Sequence, residues 1–164
     1  MKILIPILTR DAKLDYRVYC GIEANRSKDI AFGLEFYNGY TVDDGRNQVL
    51  NGIEGFVDYV FWIDDDIVIK SDTLKALLEN NTGEYPITAM WYTKKLPPYE
   101  KITTGMGCML VKADVLRKMR DNGFRFKFTL EKGEDEDFIE KALEAGYKTK
   151  FLDVQVGHLH TVLI

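Results

Sequence analysis

Short apolar runs of strand length alternate along the chain with stretches whose apolar residues recur every three or four positions. Residues 2–8 (KILIPIL) are rich in β-branched side chains and read as a first buried strand. Helical spacing follows over 14–24, and residues 30–37 predict a second strand. Asp43 and Asp44 offer capping chemistry for a helix running to about residue 54, with Val49, Leu50 and Ile53 on one face. The run 58–63 (DYVFWI) is a further strand. Ser71 or Asp72 then caps a helix through Leu74, Leu77 and Leu78. A strand is expected over 85–92, and a glycine-marked strand over 105–112 with a helix behind it from 113 to about 121. Residues 134–145 form a helix with an acidic first turn, ended by Gly146, and 148–156 form the last strand. The densest loop signal, Lys94-Lys95-Leu96-Pro97-Pro98, reads as a surface excursion. This alternation of strands and helices predicts an α/β sandwich with a mostly parallel central sheet.

The most informative segment lies where the strand 58–63 ends. Asp64-Asp65-Asp66 follows it directly, and Ile67-Val68-Ile69 returns to apolar residues. Ligand sites in open α/β sheets lie beyond the carboxyl ends of strands. Three adjacent carboxylates repel one another and are costly near a core unless a cation compensates them. On an extended chain Asp64 and Asp66 point one way and Asp65 the other, so one face offers two hard oxygen ligands suited to Mg²⁺ or Mn²⁺. An isolated Asp pair would read as a solvated turn or cap. A triplet straight after a hydrophobic strand reads as a ligand site.

Two other features bear on chemistry. Gly133-Glu134-Asp135-Glu136-Asp137 opens a helix, where acids favour the macrodipole without any further role. A carboxylate there, at the ligand edge of the sheet, would equally suit a general base for an acceptor hydroxyl. The two histidines, His158 and His160, stand together after the last strand and share a face if extended. They read either as structural residues or as metal ligands.

Composition narrows the classes. With 164 residues, 46% apolar and 29% charged, the chain fits one soluble globular domain over 1–164. The apolar N-terminal stretch is too short for a signal sequence, and no run approaches the ~18 apolar residues of a membrane helix. Cys20 and Cys108 form neither a metal-like cluster nor a disulfide framework, so a cytoplasmic location is expected. A net charge of −4 argues against nucleic acid as a partner. It also means that an acidic protein handling a phosphorylated substrate needs a local source of positive charge. Residues 64–75 lack the central glycine and distal glutamate of a calcium EF-hand loop, and no P-loop signature is present.

Taken in order, these motifs resemble the GT-A nucleotide-diphospho-sugar glycosyltransferases, in particular the small inverting-type set grouped as family 2. The resemblance runs from Ile3 to His160. Its parts are Pro6 with Thr9-Arg10-Asp11, Gly45-Arg46-Asn47, Trp62-Ile63-Asp64-Asp65-Asp66, Thr104-Gly105-Met106-Gly107-Cys108-Met109-Leu110, Gly133-Glu134-Asp135-Glu136-Asp137-Phe138 and Val156-Gly157-His158. The resemblance implies a GT-A (Rossmann-like) α/β/α sandwich. It makes the triplet a DxD motif, with Asp66 the direct ligand of Mn²⁺ or Mg²⁺ and Asp64 and Asp65 at ribose, diphosphate or metal-bound water. His158 takes the place of the later metal ligand, with His160 as fallback. Glu134-Asp135 matches an ED motif, with Asp135 the base. Thr9, Arg10 and Asp11, together with Arg46 and Asn47, fall on the nucleotide side. Arg46 also precedes Val49 and Leu50 by three and four positions, which places it on the inward helix face. Gly105 and Gly107 fall in the loop lining the donor sugar and acceptor, and Trp91 is a candidate for stacking on a sugar.

The resemblance implies a UDP- or GDP-linked sugar as donor and a glycan, lipid or protein as acceptor, with a single displacement and inversion. The chain stops soon after His160, short of the C-terminal helices that often build the family's acceptor site. Acceptor recognition is therefore expected to be minimal or completed by a partner or homo-oligomer. Two rivals remain. A sugar-phosphate nucleotidyltransferase would normally carry a glycine-rich basic loop after the first strand, where this chain has Leu8-Thr9-Arg10-Asp11-Ala12-Lys13. A non-catalytic nucleotide- or glycan-binding module would bind without turnover.

Overall fold

A computed structural model describes residues 1–9, 13–38, 41–96, 99–103, 105–129 and 132–158. Arg10, Asp11 and His160 lie outside the described residues. The elements run β1 (Lys2–Thr9), α1 (Tyr16–Ala24), β2 (Ala31–Asn38), α2 (Val42–Gly52), β3 (Tyr59–Ile63), β4 (Ile67–Val68), α3 (Thr73–Asn80), β5 (Ile87–Leu96), β6 (Tyr99–Thr103), β7 (Cys108–Lys112), α4 (Ala113–Asp121), α5 (Glu134–Glu144) and β8 (Thr149–His158). The strands lie in the order β2-β1-β3-β7-β5-β8-β4, with β6 paired to β5.

β1 pairs in parallel with β2 and β3, and β5 in parallel with β8. β7 runs antiparallel to both β3 and β5, which sets all five of those strands in one direction. The expected α/β sandwich with a mostly parallel sheet is thus the observed architecture, with a reversed strand, β7, in its middle.

Strict alternation along the strands builds two cores. Val60 and Trp62 of β3 face α2, α4 and α5, where they meet Val49, Leu50, Leu116 and Phe138. Phe61 and Ile63 face α1 and α3, against Val18, Ile22, Leu74 and Leu77. Burying each such side chain stabilises the fold by ~1.5–3 kcal/mol. The next position after Ile63 returns to the face of Trp62, so Asp64 emerges under α2.

Several local expectations change. The cap of α2 is Thr41, whose side chain accepts from the Asp44 N–H at 3.4 Å, and Asp43 and Asp44 form the first turn instead. Asp72 occupies the N-cap position of α3 but makes no side-chain capping bond; the Thr73 hydroxyl accepts from the Lys70 N–H at 3.0 Å. Lys94, Lys95 and Leu96 are not a loose excursion. They extend β5 and pair with Lys101, Glu100 and Tyr99 of β6 as an antiparallel ribbon. Residues 105–107 form a turn, and the strand begins only at Cys108. Gly146, at φ +88°, follows the C-cap of α5 in the left-handed conformation that glycine adopts without strain.

Candidate functional site

The carboxyl ends of β1, β3, β5 and β8 meet the N-termini of α2 and α5 along one edge of the sheet. Thr9 ends β1 there, nearly buried, with its hydroxyl donating to the Lys13 carbonyl at 3.0 Å. At the end of β3 the Asp triplet is a tight turn. The Ile67 N–H donates to the Asp64 carbonyl at 3.1 Å, which sends the chain straight into β4. The Asp64 N–H donates to the Gly107 carbonyl at 3.2 Å, so the Gly105–Gly107 turn is stitched to the triplet's first residue. β4 then pairs antiparallel with β8, with Ile67 opposite His158. The backbone of His158 is thereby held beside the residue that follows Asp66.

Arg46 organises the interior of this edge. Its residue surface is 3% exposed, and it stands on the inward face of α2 as the helical spacing predicts. Nη1 donates to Glu134 Oε1 at 2.6 Å, and Nη2 lies 3.6 Å from Asp64 Oδ1. The guanidinium carbon lies 5.9 Å from the centre of the Trp62 ring. Its Nε is buried without a hydrogen-bond partner, as is the Trp62 indole N–H behind it. Phe126, edge-on to Trp62 with ring centroids 5.8 Å apart, closes the aromatic wall.

Asn47, one residue on, is engaged twice. Its amide donates to the Phe126 carbonyl and accepts from the Phe126 N–H, both at 2.8 Å. Both halves of the Arg46-Asn47 pair are therefore turned to protein partners in this structure. Nothing in the local sequence signalled this, because Phe126 and Glu134 lie 79 and 88 residues away.

The acidic first turn of α5 is split in use. Glu134 is consumed by Arg46. Asp135, half-buried, accepts from the Glu136 N–H through Oδ1 at 2.8 Å. Gly133, the N-cap, makes room for that carboxylate, since a Cβ there would sit 2.7 Å from Asp135 Oδ1. Asp135 also acts electrostatically on Asp64, which brings the two acidic runs together.

The electrostatic state of Asp64 follows. Desolvation by the surrounding protein raises its carboxyl to about 6, Arg46 opposes that shift, and Asp66, Asp65 and Asp135 add to it. The thiol of Cys108, opposite Ile63 in the ladder and fully buried, is pushed upward by burial and by the charge of Asp64, so it stays protonated. Trp91 stands on β5, 37% exposed, with its ring centroid 5.0 Å from that of Phe151. Among the described residues no three His, Cys, Asp or Glu side chains are gathered around one ion position.

No protein-family profile matches the chain, and no curated protein sequence matches it. Solved structures do. The chain overlays TarS 1–349 of S. aureus in complex with UDP-GlcNAc with a TM-score of 0.66 at 14% identity, over 100% of this chain and 62% of that one. The catalytic domain of Drosophila β1,4-galactosyltransferase 7 in complex with xylobiose gives a TM-score of 0.66 at 16% identity, over 98% and 71%. The 4-diphosphocytidyl-2C-methyl-D-erythritol synthase of Anaerococcus prevotii gives 0.59 at 11% identity, over 94% and 87%. The chain thus spans less than two thirds of the TarS fragment. The fold is GT-A, as the order of motifs implied, and the glycosyltransferases and the synthase share it. Among the described residues no helix is long and apolar enough to cross a membrane.

Proposed function

We propose that this protein is a metal-dependent glycosyltransferase that moves a sugar from a nucleotide diphosphate to an acceptor hydroxyl, with inversion at the anomeric carbon. The observation that carries the reading is the meeting of two acidic runs, Asp64–Asp66 at a strand exit and Glu134-Asp135 at a helix start, at the carboxyl edge of a GT-A sheet. That overlay partners were solved with UDP-GlcNAc and with xylobiose supports a nucleotide-sugar donor and a sugar acceptor.

Asp64, Asp66 and His158 are the residues that would hold Mn²⁺ or Mg²⁺. The fit rests on Asp64, a hard oxygen donor at the strand exit whose carboxyl is raised first by desolvation and then by Asp66, Asp65 and Asp135, so that a cation there would favour its ionised form. The Ile67–His158 register adds an imidazole-bearing residue from the neighbouring strand. Bound there, a divalent ion would supply the positive charge that an acidic chain otherwise lacks for a departing diphosphate.

The protein's own groups account for the remaining steps. Thr9 at the end of β1, with Arg10 and Asp11 after it, borders the nucleotide. Asp65 and Asp64 reach the ribose side. Gly105 and Gly107 let backbone approach the donor sugar closely. Trp91, backed by Phe151, offers a partly exposed aromatic face to an acceptor sugar. Asp135 takes the proton of the acceptor hydroxyl, whose oxygen attacks the anomeric carbon from the side opposite the diphosphate.

The test is transfer or hydrolysis of a panel of UDP- and GDP-sugars with Mn²⁺, using wild type and Asp135→Asn. Donor-dependent turnover abolished by that substitution supports the reading. Full activity in both Asp135→Asn and Asp66→Ala rejects it. The overlay with the erythritol synthase keeps one alternative alive, transfer of a nucleotidyl group to a sugar phosphate. Pyrophosphate released from a nucleoside triphosphate would establish that chemistry instead.

A further inference from the structure

We propose that α2 carries a three-residue clamp, Asp43, Arg46 and Asn47, that sets the position of Asp135, and that Glu134 acts only as the anchor of this clamp. The role assigned to Asp135 rests on the reading above; the clamp itself rests on geometry.

Positions 43, 46 and 47 share one helix face by their three- and four-residue spacing. Each side chain holds the chain segment leading into α5, at a different point. Asn47 grips both backbone groups of Phe126 at 2.8 Å. Asp43 Oδ2 accepts from the Phe128 N–H at 3.3 Å. Arg46 grips Glu134 at 2.6 Å, at the first residue of α5 and immediately before Asp135. The last contact is well protected, with side-chain exposures of 4% and 13%.

Glu134 and Asp135 are neighbours in sequence but not equivalent. Removing the carboxylate of Glu134 would strand a buried guanidinium whose Nε already lacks a partner. Gly133 leaves room for the Asp135 carboxylate, because a Cβ there would sit 2.7 Å from Asp135 Oδ1. The first turn of α5 is therefore held from the Glu134 side, with space for Asp135 at Gly133. Asp135 stays within electrostatic reach of Asp64, while the second Nη of Arg46 extends the same strut to within 3.6 Å of Asp64. Glu134 is a positioning residue, since it reaches the reacting atoms only through Arg46 and the helix backbone.

Two measurements test this on the full chain. The first is amide hydrogen exchange at Asp137, Phe138 and Ile139, the first being the N–H that bonds the Gly133 carbonyl at 3.0 Å. The second is steady-state transfer kinetics. Arg46→Met and Glu134→Ala should each speed that exchange by about tenfold or more and lower kcat by about a hundredfold, with donor KM changed by less than about threefold. Glu134→Gln keeps an acceptor for the guanidinium and should recover most of both losses. The Arg46→Met/Glu134→Ala double variant should be no worse in kcat than its worse parent, because the two act through one contact.

Glu134→Gln as slow as Glu134→Ala with normal exchange would overturn the proposal and make Glu134 the proton acceptor. Losses that multiply in the double variant, or unchanged exchange in Arg46→Met, would also overturn it. Arg46→Lys serves if Arg46→Met does not fold, with intermediate exchange and kcat expected and wild-type values in both counting against the clamp. Absence of transfer by the wild type from every donor would sink the functional reading, while the exchange data would still decide whether the clamp exists.

Discussion

Two acidic runs of similar composition meet at this site and are held in opposite ways. Glu134–Asp137 open a helix whose free N–H groups favour negative charge, and the first of them is bonded to a buried arginine. Asp64–Asp66 end a strand and turn directly into β4. Their first member lies 3.6 Å from the same arginine and remains raised to about 6. The fold thus bonds the first member of one run tightly to a buried arginine and leaves the first member of the other desolvated at a longer distance from it.

The comparison breaks most visibly at Asp135. Asp135→Asn should reduce transfer by about 10²–10⁴-fold while nucleotide affinity, measured calorimetrically with Mn²⁺, stays within about threefold. Equal loss of binding and turnover would mean that the helix run belongs to the donor site instead. Asp66→Ala should come next, removing the metal-dependent part of nucleotide binding, about 10–100-fold, and leaving metal-independent binding unchanged.

A pH series sharpens the contrast further. The raised carboxyl of Asp64 means the folded state keeps its proton at a pH where the unfolded chain, near 3.9, has lost it. The stabilisation from that proton is fully present below the unfolded value and is lost as pH rises from about 4 through about 6. Thermal unfolding in EDTA should therefore show a falling Tm across this window. Mn²⁺ at pH 7.5 should restore it, and Asp64→Asn should flatten the profile and raise the Tm at pH 7.5. A Tm that climbs through the window in EDTA would show that Asp64 is charge-stabilised, like the helix run. The smallest effect is expected at Trp91. Trp91→Ala should weaken acceptor KM by about 5–10-fold, in line with ~1 kcal/mol for a lost aromatic contact, and leave donor KM alone.

What the sequence disclosed follows the range of each signal. Local, periodic features were legible: the strand 58–63 and its triplet, the helix 113–121, the acidic start of α5 and its glycine end. The inward face of Arg46 was legible too, from its spacing to Val49 and Leu50. β4 was not, because two residues carry no period, and β6 was hidden by the charges of Tyr99-Glu100-Lys101 and by the Pro97-Pro98 turn signal before it. The reversal of β7 left no local mark, since an apolar strand reads the same in either direction. Thr41, Asp43 and Asp44 are all good capping residues, and only backbone geometry makes Thr41 the cap. The resemblance puts Asn47 on the nucleotide side, and its grip on Phe126 is a separate contact. The partner it grips lies 79 residues away, where no local pattern reaches.

The two-residue ladder between β4 and β8 also has a practical side. It delivers residue 158 to the rim next to the triplet. Met1 enters β1 from the opposite rim, where its ammonium donates to the Asp29 carbonyl at 3.2 Å. Affinity tags, surface tethers and fluorescent fusions at the front of this chain are therefore joined at the rim away from the triplet.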